Sequence, residues 1–168
     1  MSMAGSNRRG RSEQTEKSRL TTEPGPGGSI KVKADIPSVE SASREVQDRI
    51  LSDAQRRGYN NQCLFAIKLA LDEALRNAIK HGNQHDPSKK IRIEATISRE
   101  TTVIVIEDEG SGFARALVPD PTLEENLEKS SGRGIHLIEA YMNEVRWSRG
   151  GRRLRMVKKN DADLLPRG

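Results

Sequence analysis

The stretch "TTVIVIEDEG", residues 101–110, constrains the fold more than any other. Val103 and Val105 alternate with Ile104 and Ile106, so a strand formed here is apolar on both faces. Such a strand is expected to lie centrally in a sheet and to be covered. It runs into an acidic turn bearing Gly110 and Gly112, and ligands collect at strand ends of this kind.

The flanking sequence supplies the partners. "KIRIEATIS" alternates Ile91, Ile93, Ala95 and Ile97, and the short linker Arg99-Glu100 makes it a hairpin with the first strand. Upstream, "SIKVKADIP" alternates Ile30, Val32, Ala34 and Ile36 before Pro37 ends it. Ser38 is the expected N-cap of a helix on which Val39, Ala42, Val46, Ile50 and Leu51 recur, up to about Gly58. A second helix is expected from Asn60 or Asn61 to His81, with Leu64, Ile67, Leu71, Ala74, Leu75 and Ala78 as its core stripe and Gly82-Asn83 as its stop. Residues 109–131 lack a strong period and read as a lid or mobile loop. "GRGIHLIEAYM" reads as a third helix, and "EVRWSRGGRRLRMVKK" as a hairpin about Gly150-Gly151. The order β-α-α-β-β-loop-α-β-β points to an α/β two-layer sandwich.

Composition narrows the function classes. Residues 1–28 are rich in Ser, Arg, Glu and Gly and read as a disordered tail, leaving 29–160 as the folded domain and 161–168 as a C-terminal tail. The net charge of +5 sits at the ends of the chain and leaves the body mildly acidic, which argues against a nucleic-acid groove. No apolar run reaches the roughly 20 residues of a membrane span, and the N-terminus lacks the apolar stretch of a secretory signal. A single cysteine, Cys63, lies on an apolar helix face, and a cytoplasmic home is expected.

Three polar features sit on this scaffold. Glu73, Asn77 and His81 fall on one helix face at spacings of four, so a carboxylate and a carboxamide can reach one ligand. These oxygens suit a hard cation such as Mg²⁺, and the carboxylate can deprotonate a hydroxyl. The same spacing also fits an exposed face laced with ion pairs to Arg76 and Lys80. In "EDEGSGF", Asp108 can accept a hydrogen bond from an exocyclic amine, or simply cap a Gly-rich turn. In "SSGRGIHLI", Gly132 and Gly134 open a helix whose free N–H groups favour an anion, with Arg133 adding charge; a plain helix start is the alternative.

In order, "EALRNAIKHGN", "DEGSGF" and "GRGIHLI" resemble the N, G1 and G2 boxes of the Bergerat-fold (histidine-kinase-like) ATPase superfamily, and within it the anti-sigma factor serine/threonine kinases. The resemblance covers roughly residues 30–160. It implies a mostly antiparallel mixed sheet with three helices on one face and an ATP lid. It makes Glu73 the general base for phosphoryl transfer and Asn77 the Mg²⁺ ligand. It gives Asp108 the adenine amine, with Gly110, Gly112 and Phe113 shaping the pocket. Gly132, Arg133, Gly134 and Ile135 fall in the lid segment, and His81 lies near the triphosphate end. Two residues depart from the family pattern: Arg152 stands where a Thr commonly helps to hold adenine, and Arg76 is bulkier than usual before the Asn.

The function implied is a cytoplasmic kinase that uses ATP and Mg²⁺, binds a sigma factor and phosphorylates an antagonist protein, with room for a homodimer through the sheet edge. The alternative is a non-catalytic, ATP-dependent partner switch. A histidine kinase acting in trans would need a phospho-accepting histidine on a dimerisation helix pair, and His85 and His136 are not so placed. Direct nucleic-acid binding through "RWSRGGRRLR" finds few aromatics to stack bases.

Overall fold

A computed structural model of the protein describes residues 18–112 and 133–161. Within them the chain forms β1 (Arg19–Pro24), β2 (Ile30–Pro37), α1 (Glu40–Arg56), α2 (Asn61–Asn77), a π turn (Ala78–Gly82), β3 (Lys90–Ile97), β4 (Thr101–Glu107), α3 (Arg133–Tyr141), β5 (Glu144–Ser148) and β6 (Arg153–Lys159). The strands form one sheet in the order β1-β2-β3-β4-β6-β5. The helices cover one face, giving the two-layer sandwich that the periodicities predict.

Every neighbouring pair among the described strands is antiparallel, so the mixed character expected of the sheet is not found there. Connectivity explains this. Between β2 and β3 the chain makes two helical passes, and an even number returns it to the end it left, where Pro37 sits opposite Lys90. Between β4 and β5 it makes one pass, which turns β5 parallel to β4. The hairpin partner β6 then lies between them.

The core is almost wholly aliphatic. Ile36, Ile50, Ile67, Leu71, Leu75, Ile91, Ile93, Ile104, Ile138 and Met156 are among its fully buried side chains. In β4, Thr102, Ile104 and Ile106 face the helices and are buried. Val103 and Val105, on the other face, are only half-buried. The strand is central, as expected, but helices cover it on one side alone. Val105 stands between Glu94 and Arg155, whose aliphatic stems suit a face open to water.

Three local readings need correction. Residues 19–24 are not part of a disordered tail: they pair with β2 in register, Leu20 opposite Ala34 and Pro24 opposite Ile30. Their side chains are exposed apart from half-buried Leu20, so this edge strand leaves no alternation to detect. The N-cap of α1 is Val39, which makes no side-chain cap; Ser38 is buried and donates instead to the Lys89 carbonyl at 2.9 Å. Finally, α2 ends as an α-helix at Asn77, and the next residues form a π turn in which the Asn83 N–H bonds to the Ala78 carbonyl at 2.8 Å. The start of α2 is as expected, with Asn60 capping it through the Cys63 N–H at 2.8 Å and Cys63 itself buried.

Candidate functional site

Helices α2 and α3 lie antiparallel. Phe65 meets Tyr141 edge-on with ring centroids 5.9 Å apart. Eight residues further along α2, Glu73 meets Gly134 in the first turn of α3. A Cβ on Gly134 would collide with Glu73 Oε2 and lie 3.6 Å from Asn77 Nδ2. A side chain here would have to displace the Glu73 carboxylate. The other carboxylate oxygen, Oε1, accepts a hydrogen bond from Arg76 Nη1 at 2.7 Å. Asn77 Nδ2 is buried without a hydrogen-bond partner among the described residues.

A carboxylate and an unsatisfied carboxamide thus lie against the start of a helix, where first-turn N–H groups and the helix dipole favour anions. The donor set fits Mg²⁺. That ion takes few protein ligands and completes its shell with water and substrate phosphate. Asn77 can supply its carboxamide oxygen to the ion, and its orphaned Nδ2 is a donor suited to a phosphate oxygen. No cluster of three or more His, Cys, Asp or Glu among the described residues offers an all-protein cage.

The π turn leads directly from Asn77 to Gly82, and Gly82 lies against the end of β4. A Cβ there would fall within 2.8 Å of Asp108 Oδ1, and one on Gly110 would strike the Gly82 carbonyl and sit 2.9 Å from that same Oδ1. Asp108 is held by its own backbone: its N–H donates to the Arg152 carbonyl at 3.0 Å, and Oδ1 accepts from the Gly110 N–H at 2.8 Å. Among the described residues its second oxygen has no hydrogen-bond partner. Burial pushes the Asp108 carboxyl above its ordinary range, opposed by the Gly110 N–H and the nearby Arg152 charge. A half-buried acceptor in a glycine-lined recess can read an amine on a planar base.

Gly112 has φ of +82°, and a Cβ on it would strike the Gly150 carbonyl, so the loop after β4 packs on the turn between β5 and β6. That turn is fixed electrostatically. Burial alone would raise the Glu107 carboxyl, but hydrogen bonds from Arg149 and Arg153 outweigh it and hold the group below its ordinary range. Arg153 lies 3.0 Å away, and Arg149 makes the second contact. Arg152, the departure from the family pattern, sends its side chain to the Arg149 carbonyl at 3.2 Å. Its own carbonyl is what braces Asp108.

The expected residues divide accordingly. Glu73, Asn77 and Gly134 come together, as do Asp108, Gly110 and Gly112 with Gly82. His81 stands exposed on the π turn, where the unbroken α register behind its alignment with Glu73 and Asn77 no longer holds. Arg133 is exposed at the start of α3, and Ile135 is buried. Phe113 and Gly132 lie outside the described residues.

One residue is marked in the sequence only as a helix terminator. Asn83 is fully buried. Its Nδ2 donates to Ser38 Oγ at 2.6 Å and to the Lys90 carbonyl at 3.0 Å, while Oδ1 accepts from the Glu109 N–H at 2.8 Å. It ties the β2–α1 junction, the start of β3 and the loop carrying Asp108 to the end of the π turn. An Asn after a glycine helix stop is too common a signal to reveal that role.

The family model described as "Histidine kinase-like ATPase domain" matches residues 36–158. Proteins named "Anti-sigma F factor" are similar to the chain as well. The one from Clostridium perfringens (strain SM101 / Type A) is 39% identical over 85 residues, covering 49% of this chain and 60% of the relative. That of Anoxybacillus flavithermus is 38% identical over 85 residues, covering 49% and 58%. That of Clostridium novyi is 32% identical over 99 residues, covering 55% and 68%. The chain thus spans about 60% of the length of the first of these relatives.

Proposed function

This chain belongs to the histidine kinase-like ATPase domain family, and from that premise we propose that it is an ATP-dependent serine/threonine protein kinase of the anti-sigma type. The observation that carries the reading is the meeting of Glu73 and Asn77 with the start of α3 at Gly134. In this reading Asp108 accepts the adenine amine, with Gly82, Gly110 and Gly112 giving the base close approach to the backbone. Asn77 holds Mg²⁺, which when bound neutralises phosphate charge. The first turn of α3 and Arg133 face the phosphates.

Glu73 takes the proton from a serine or threonine hydroxyl. The hydroxyl oxygen then bonds to the γ-phosphorus as the bond from that phosphorus to the bridging oxygen breaks, and ADP leaves with the electron pair. Positioning and charge neutralisation supply most of the rate in such transfers, so no nucleophile on the protein is needed. The names of the relatives support a sigma factor as partner, and the acceptor in this reading is an antagonist protein. The exposed edges β1 and β5 are the places for a homodimer. Among the described residues no helix is long and apolar enough to cross a membrane, in keeping with a cytoplasmic regulator.

The test has two stages. Calorimetric titration of ATP with Mg²⁺ should show saturable binding to the wild type that Asp108→Ala abolishes; no binding by folded wild type overturns the reading. Labelled ATP with an antagonist protein should then yield phosphoprotein with wild type and none with Glu73→Ala, which still binds nucleotide. Binding without any phosphoprotein would make the chain a partner switch.

A further inference from the structure

The geometry gives Arg76 a place beside the site. We infer that Arg76 is a positioning residue for Glu73, selecting which carboxylate oxygen is presented to the reacting groups; the inference rests on Glu73 being the base. The two side chains differ sharply in surroundings. The Glu73 side chain is 16% exposed and that of Arg76 is 55% exposed, so the carboxylate lies inside the site and the guanidinium reaches it from outside. Arg76 Nη1 holds Oε1 at 2.7 Å, while Oε2 lies against Gly134 at the start of α3. Glu73 is thereby clamped between a cation on one side and the α3 backbone on the other.

The arrangement is asymmetric, and asymmetry is what a base needs. The terminal torsion of a glutamate is broad and two-fold, so an unclamped carboxylate would exchange its oxygens and sweep its lone pairs across the site. Asn77 Nδ2 makes no hydrogen bond among the described residues, so it does not compete for either oxygen. An ion pair this exposed contributes little to folding, which leaves orientation as its main effect. A planar guanidinium suits that task better than an ammonium, whose donors rotate on a flexible stem. With Oε1 engaged, Oε2 takes the hydroxyl proton.

The experiment compares wild type, Arg76→Ala and Arg76→Lys by crystallography with Mg²⁺-ADP and by steady-state kinetics. In the Arg76→Ala crystal, Glu73 should leave its place against Gly134 or occupy more than one rotamer. Its kcat should fall about tenfold, with KM for ATP and for the acceptor unchanged within about twofold, and Arg76→Lys should recover part of the loss. A Glu73 side chain that keeps its wild-type position in Arg76→Ala overturns the inference. So does a rise in acceptor KM at constant kcat, which would make Arg76 a docking contact. If wild type itself yields no phosphoprotein, the kinase reading fails, and the crystallographic comparison alone decides whether Arg76 places Glu73.

Discussion

The C-terminal end of α2 serves two regions built on opposite plans. At the end of β4, nearly every polar group is engaged. Asp108 is bonded through its own N–H and through Oδ1, and Asn83 makes three hydrogen bonds at full burial. At the start of α3 the groups are less committed: Asn77 has an orphaned amide, and Glu73 leans on one exposed arginine. In the proposed reading, the difference matches the two parts of the nucleotide: a flat base suits a rigid recess fixed in advance, whereas a charged, changing group suits polar groups less committed beforehand.

The largest break in this contrast should come from Asn83→Ala. It leaves the Glu109 N–H without its acceptor and removes the bonds that Nδ2 gives to the Lys90 carbonyl and Ser38 Oγ, and we expect a loss of about 3 kcal/mol in chemical denaturation, with nucleotide binding lost alongside. The glycines sharpen the contrast. Gly110→Ala drives a Cβ into the Gly82 carbonyl, which is backbone and cannot yield, so about 2 kcal/mol of stability and most nucleotide affinity should go together. Gly134→Ala presses only on the far end of the Glu73 side chain. Its melting temperature should stay near that of wild type while phosphoryl transfer falls about tenfold. Equal destabilisation by the two substitutions would erase the distinction between a rigid and a pliant half.

The smallest effect concerns Asp108. Burial raises its carboxyl in the folded state, so ionisation costs the fold; the stabilising contribution is present below the ordinary value of 3.8 and is lost as pH rises through the folded value. Asp108→Asn carries no such cost. It should be more stable than wild type at pH 7, with the advantage vanishing below pH 3.8, while losing affinity for adenine nucleotides. Thermal melts across that range would check the sign.

Much of the scaffold was legible because burial imprints a period. Ile91, Ile93, Ala95 and Ile97 alternate since one face of β3 lies under helices, and the α2 stripe repeats because one side of that helix lies on the sheet. The start of α2 was readable, and Asn60 caps it through chemistry that acts within three residues. What was hidden acts at long range or without burial. Strand β1 exists because β2 offers an edge, and its Thr, Glu and Pro carry no pattern. Ser38 looked like a local cap, yet its partners are Lys89 and Asn83, far along the chain. In the site, the residue types of Glu73, Asn77, Asp108 and Gly134 were legible. The clamp on Glu73 and the bracing by Asn83 were not, since both depend on which backbone comes near.

The π turn at Ala78–Gly82 has an evolutionary consequence. Lys80 and His81 are exposed, so packing does not fix their identities. It does fix their number. Deleting one residue would restore ordinary α-helical winding, rotate the downstream chain by about 100° and retract it by about 1.5 Å. Gly82 would then no longer meet Asp108, and Asn83 would leave its socket. Exposed positions 80 and 81 should therefore tolerate substitution more readily than buried Ala78 and Ile79 or crowded Gly82, while the segment as a whole rejects insertions and deletions, acting as a spacer measured in residues.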